Sequence, residues 1–315
     1  MNTKPSQSYY KVYLITAKLL VLGVIGYLLF DKLKSQDRLA TQLYESTLHL
    51  IKNNYWPLIL VIALMPLNWL LESLKWKILV NKVTPINLMD SLKGVLAGLT
   101  LSFATPHGIG DYFGRILTIQ EKGREGLVSS LFISRSTQMI ATAIFGLVGL
   151  DYLYGFWWPF AALVILIFAI VIVFSLLNWM SHFNVFARYL SLVKSYSFST
   201  LLKIQFLSMI RYLVFAMQFV IIIKALIPAI NFSLAFAGST YIFLAKSILP
   251  TFNFLSDLGI REYSAIYFFE KYSVEIIPIV NASLLLWLIN ILIPTLVGIP
   301  SMLKLKWSLS SKQSV

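Results

Sequence analysis

Long apolar runs separated by short polar stretches punctuate this chain. Runs of about 18 or more residues, enough for a helix to cross roughly 30 Å of hydrocarbon, recur from one end to the other. The first predicted span covers about residues 10–30. The segment after it, DKLKSQDRL, offers no small-residue cleavage site, so this span is expected to be retained rather than removed as a leader. Residues 31–54 are mixed, with Leu39, Leu43, Tyr44, Leu48 and Ile51 near helical spacing, which suits a helix lying in the interface. A second span begins at Tyr55-Trp56-Pro57, runs to about Leu71 and continues into SLKWKIL; Trp56, Trp69 and Trp76 read as interface anchors. A short apolar piece, Leu88 to Ala104, leads to the Gly/Pro-containing run TPHGIGDYFGR (105–115). Spans at about Leu127–Leu150 and Trp157–Leu177 follow.

The second half keeps this order. Residues 178–203 are mixed and basic, a span runs from about Ile204 to Ile227, and a short piece, Phe232 to Leu249, is broken at Pro250. DLGIREYSAIYFFEKY (257–272) comes next, then a last span from about Ile276 to Pro300. Matching elements lie roughly 150 positions apart, GIGD (108–111) with GIRE (259–262) among them, which is the mark of an internal duplication. The expectation is one transmembrane domain over 1–315 without a soluble domain, its repeats at about 10–150 and 157–300. Each repeat holds three full spans and one short interrupted element, and an odd number of crossings inverts the second copy. The expected fold class is therefore all-α: a polytopic integral membrane protein with about six full spans plus two re-entrant helical elements, arranged as two inverted repeats.

Composition agrees: 58% of residues are apolar and 12% charged, with a mean hydropathy of +0.78, where soluble domains hold roughly 45–50% and about 25%. The net charge of +13 is explained by position. With the N-terminus inside, the outer side receives Lys32, Lys34, Arg38, Lys52, Lys224, Arg261 and Lys271, half as many cations as the inner side, and DYLYGF (151–156) carries none. Both termini are thus expected in the cytoplasm and the chain in the cell membrane. The surplus of positive charge would attract anionic lipid headgroups.

The same survey disfavours several functions. There is no cysteine, and His49, His107 and His182 lack metal-ligand spacing. No serine has a GxSxG context, and GIGDYFG follows no strand, so a nucleotide fold is rejected. Basic residues are spread over membrane boundaries instead of one soluble face, which argues against nucleic acid. No catalytic residue, metal or cofactor is assigned, and the expectation is a protein that is not an enzyme.

Polar residues inside apolar surroundings are the informative ones. TPHGIGDYFGR places Thr105, His107, Asp111 and Arg115 beside Gly108 and Gly110. Irregular backbone at membrane depth is tolerated where protein or a water-filled cavity satisfies it, and glycine amides with an arginine fork suit an anionic headgroup. The alternative is a cytoplasmic turn whose Gly and Pro merely end a helix. The mirrored element supplies Asp257, Gly259, Arg261 and Glu262, with Asn253 and Ser256, and its plainer reading is a surface loop. Arg135, Arg211 and Lys246 are isolated cations in apolar segments, each either half of an ion pair with Asp111, Glu262 or Glu72 or part of a substrate path. Glu72 and Lys75 read as a local i,i+3 pair. Asp111 and Arg115 are expected to lie close to Arg261 and Glu262.

LKWKIL (74–79), a short helix leading to P-x-G-x-G-D (106–111), a downstream Arg and a second motif ending GIRE together resemble the transmembrane region of lysylphosphatidylglycerol synthases, also described as a flippase-like domain. The resemblance covers about residues 10–300. It implies a module that handles or translocates an anionic phospholipid or lipid-linked headgroup, with Gly108, Gly110, Asp111 and Arg115 matching one motif and Gly259 and Glu262 the other. The family's second motif usually carries a Pro-Gly-Gly run where this chain reads FLSDLGIRE. With Val315 lying about 15 residues after the last span, the reading is of a free-standing member from which lysyl transfer is not expected. A separately encoded lipid-modifying enzyme is a possible partner. The alternative function is a membrane-embedded transferase or accessory subunit acting on polyprenyl-phosphate lipids.

Overall fold

The computed structural model describes residues 54–103, 105, 108–119, 124–158, 195–248 and 254–305, with scattered positions at 16, 41–52, 160–163 and 193. Among the described residues the secondary structure is helical and no strand occurs. The sequence-derived spans at 10–30 and 157–177 fall largely outside them, as does most of the interfacial segment 31–54.

Helix α1 (Trp56–Val80) opens with Pro57 in its first turn, where a missing N–H costs nothing. Its C-terminal half buries Asn68, Glu72, Ser73 and Lys75 beside Trp69 and Trp76. Of the three tryptophans taken as interface anchors only Trp56 is exposed. Trp69 and Trp76 are covered by protein, packed in one apolar cluster with Val95, Leu99, Leu127 and Leu131, and each ring also lies under a guanidinium group.

Helices α2 (Leu88–Phe103) and α3 (Ile109–Leu117) form a hairpin. At 1.5 Å per residue they are about 24 and 14 Å long, so neither crosses a bilayer alone. The turn is made by Gly108, whose φ of 67° lies in the left-handed region, and by Thr105, which accepts from the Gly110 amide (2.8 Å) and donates to the Leu101 carbonyl (2.9 Å). A Cβ on Gly110 would lie 2.2 Å from the Leu101 carbonyl carbon, and one on Gly114 would lie 2.3 Å from Gly98 Cα. The two backbones therefore touch, and only glycine permits that approach.

Helix α4 (Arg124–Tyr154) and helix α5 (Phe198–Leu226) follow, α5 capped by Ser197, whose hydroxyl accepts from the Thr200 amide (3.2 Å). Helices α6 (Phe232–Ile248) and α7 (Phe254–Glu270) make a second hairpin, packed through aromatic rings: Gly238 faces Phe269, and Tyr241 lies against Tyr267 and Phe268. The last apolar stretch comprises α8 (Ile276–Trp287), a π turn at Leu288–Leu292 and α9 (Ile293–Leu303).

Four helical stretches among the described residues, 56–80, 126–154, 198–226 and 276–303, are long and apolar enough to cross a membrane. Among these and the shorter helices, α1 packs on α5, α2 on α9 and α6 on α4. Small residues set the last two contacts: Gly298 of α9 meets Leu96 and Thr100 of α2, while Gly146 and Gly149 of α4 meet Leu244 and Tyr241 of α6. Polar bonds also tie the helices to one another. Asn68 donates to Asn290 in the π turn (3.4 Å), Thr100 to the Thr295 carbonyl (2.8 Å), and Gln218 to the Val61 carbonyl (2.8 Å). Tyr196 gathers one end of the bundle, donating to the Leu79 carbonyl (2.8 Å) at the end of α1 and sharing a bond with Ser130 (3.0 Å) near the start of α4.

Candidate functional site

A charged cluster sits where α1, α3, α4 and α5 meet. Glu72 of α1 is its hub. One carboxylate oxygen accepts from Arg115 Nη1 (2.8 Å) and Ser134 Oγ (3.4 Å); the other faces Lys75 Nζ (3.2 Å) and Arg211 Nη1 (3.3 Å). Asp111 of α3 is the second acid. It accepts from Arg115 Nε (2.8 Å), one helical turn away, and from Arg135 of α4 in a short charge-assisted contact. Gln138 joins the set, its side-chain oxygen accepting from Arg211 (3.0 Å) and Lys75 (3.5 Å).

These groups lie well inside the bundle. At 1.5 Å per residue, Glu72, Arg135 and Arg211 are about 12, 16 and 20 Å from the helix ends at Val80, Arg124 and Phe198. Tyr196 holds those three ends near one another, so the three depths are measured from one side. Charges at this depth are costly in lipid and persist when paired or facing a polar cavity. The pairing is tight for the inner members: the side chains of Glu72, Lys75, Asp111 and Arg115 are at most 5% exposed. Aromatic faces complete the lining, with Arg115 over Trp76 at 5.5 Å and Arg211 over Trp69 at 5.4 Å.

Exposure separates two arginines from the rest. Arg135 is 49% exposed and Arg211 20%, although both are ion-paired. Arg115, by contrast, is enclosed, with both carboxylates fixing its fork. The arrangement is a scaffold of Glu72, Asp111, Arg115 and Lys75 that presents two further guanidinium groups at its accessible edge. Guanidinium groups at such an edge offer positive charge and bidentate donor geometry, the chemistry that suits an anion.

Among the residues expected from sequence, Asp111, Arg115 and Arg135 are brought into one network. Gly108 makes the turn at the start of α3, and Gly110 is buried against the Leu101 backbone, so its bare surface serves hairpin packing. His107 lies outside the described residues, as does the side chain of Asp257. Arg261 is buried on α7 with its guanidinium 5.9 Å from the Phe215 ring of α5, Glu262 is partly buried, and Gly259 is exposed. Asp111 and Arg115 direct their hydrogen bonds to each other, Glu72 and Arg135, and none to Arg261 or Glu262. The expected meeting of the two motifs is thus absent from these bonds, because the carboxylate facing Arg115 comes from α1.

Sequence reasoning treated Glu72 and Lys75 as a local pair and left Gln138 unnoticed. The pair is present, and it is also joined to Arg115 and Arg211. The available signal was an acid and a base within an otherwise apolar helix flanked by two tryptophans. Lys75, expected from sequence as the local partner of Glu72, is fully buried.

A family model described as the lysylphosphatidylglycerol synthase TM region matches residues 15–298. No curated protein matches the chain. No solved structure matches it either.

Proposed function

We propose, given that this chain belongs to the lysylphosphatidylglycerol synthase TM-region family, that it binds and moves an anionic lipid headgroup at the charged cluster of α1, α3, α4 and α5. The chain is a multi-pass membrane protein of all-helical fold, and family membership favours the flippase-like reading. One observation carries the site: Arg135 and Arg211 stay accessible at membrane depth although each is paired to a carboxylate that also holds an enclosed cation. In this reading the lipid phosphate bridges the two arginines, Glu72 and Asp111 hold them in place, and no covalent bond is made or broken.

The proposed frame is six full spans and two re-entrant hairpins in two inverted repeats, set in the cytoplasmic membrane with both termini inside. Packing supports the duplication. The α2 hairpin helix rests on the last span of the second half, and its counterpart α6 rests on the last described span of the first half. Both contacts use glycine against leucine, Gly298 on Leu96 and Gly146 on Leu244. Helices α1 and α5, equivalent in the duplication, pack on each other. At the offset that pairs GIGD with GIRE, Glu262 of the second hairpin corresponds to Asp111 of the first, while the counterpart of Arg115 is Ile266.

The test is a vesicle assay with purified protein and a labelled anionic phospholipid. Movement of label between leaflets, lost in the Arg135→Gln/Arg211→Gln double variant, supports the reading. Covalent turnover of the lipid would replace it with a transferase acting on lipid phosphates. Absence of both movement and headgroup binding would refute it.

A further inference from the structure

The following rests on the headgroup site above and sharpens it: we propose that the cluster selects a phosphate monoester, with three unesterified oxygens and close to two negative charges, over a phosphodiester. The first argument is charge. Lys75, Arg115, Arg135 and Arg211 bring four positive charges, while Glu72 and Asp111 bring two negative ones. All four carboxylate oxygens already face cations. Two positive charges are left unbalanced where burial makes imbalance costly.

The second argument is the donor inventory, which is independent of the charge count. Arg211 Nε and the Trp69 indole N–H are buried without an acceptor among the described residues, and Arg211 lies over the Trp69 ring. Arg135 gives one nitrogen to Asp111 and keeps the rest of its half-exposed guanidinium. Arginine and tryptophan side chains donate only. A complementary ligand therefore brings acceptors, no donors and two negative charges. A diester has one charge and two free oxygens and leaves one cation unmatched. A headgroup carrying an ammonium would add to the surplus. A monoester satisfies both counts, and above its second pKa of about 6 it is dianionic.

The experiment places purified protein in phosphatidylcholine nanodiscs at pH 7 and measures retention of labelled phosphatidic acid or phosphatidylglycerol with identical acyl chains. Phosphatidic acid is expected to bind at least about tenfold more tightly, the yield of one additional charge-assisted hydrogen bond. Gln138→Glu places a carboxylate of the same size beside Arg211 and Lys75 and should bring the two lipids close to parity. If that variant does not fold, Arg211→Gln removes the same unit of charge and reads the same ratio. Lys93→Ala, in an exposed pair with Asp90, should leave the ratio unchanged. Equal binding of both anionic lipids, each above phosphatidylcholine, would overturn the monoester preference and leave the headgroup site standing. Binding of neither would overturn the headgroup site itself. Inorganic phosphate displacing phosphatidic acid at comparable concentration would overturn the lipid as the source of the phosphate.

Discussion

Arg135 of α4 donates to the Asp111 carboxylate of α3 while half of its own side chain remains exposed. Asp111 keeps a second partner, Arg115, so removing Arg135 does not strand a buried acid. Arg135→Ala is expected to cost about 1 kcal/mol of stability, in the range of partly solvated ion pairs, while abolishing headgroup binding. Unfolding in detergent and lipid retention, measured on the same preparation, separate the two effects.

Arg115→Ala has the opposite profile. It removes the cation shared by Glu72 and Asp111, both enclosed, and should cost about 3–5 kcal/mol, as broken buried pairs do. Arg115→Lys, a point charge that loses the fork, should recover part of the stability but not all of it. Thermal midpoints of the three proteins give the order.

Two glycines predict opposite outcomes for one methyl group. Gly114→Ala drives a Cβ to 2.3 Å from Gly98 Cα, so the α2–α3 hairpin must open, and yield and melting temperature should fall steeply. Gly259→Ala meets nothing within 4 Å and should be neutral or gain up to about 1 kcal/mol from helix propensity. Equal effects would contradict the hairpin packing.

The absence of cysteine permits a clean topology experiment. Phe156→Cys, just after α4, and Lys82→Cys, just after α1, both replace exposed residues. In intact cells an impermeant thiol reagent should label position 156 and leave 82 unlabelled. Labelling of 82 alone would reverse the orientation.

Much of this fold was legible. The apolar runs located α1, α4, α5 and the final span to within several residues, since span length is set by bilayer thickness. Arg135 and Arg211 were readable as cations needing partners, and Asp111 and Glu72 are the partners found. Other features depend on tertiary context. The pairing of Glu72 with Arg115 crosses 43 residues, whereas Lys75 stands one turn away and accounts locally for the same acid. Gly110 carries the same symbol whether its bare face meets a ligand or the Leu101 backbone. The π turn at 288–292 lies in LINIL, which has no breaker residue; its side chain Asn290 meets Asn68, and that partner is invisible from a local window.

The charged cluster also has a consequence for biogenesis. Its members arrive on four helices that leave the ribosome at different times, and each alone presents to lipid an ionised group costing roughly 2.5–3.5 kcal/mol at mid-membrane. Glu72 enters with Lys75 and Asp111 with Arg115, but Arg135 and Arg211 find their countercharges only when α4 and α5 dock on the earlier helices α3 and α1. Until α5 has arrived the set is incomplete, so the cluster acts as a checkpoint during insertion: a nascent bundle lacking one helix carries an exposed intramembrane charge of the kind that membrane quality-control machinery can detect.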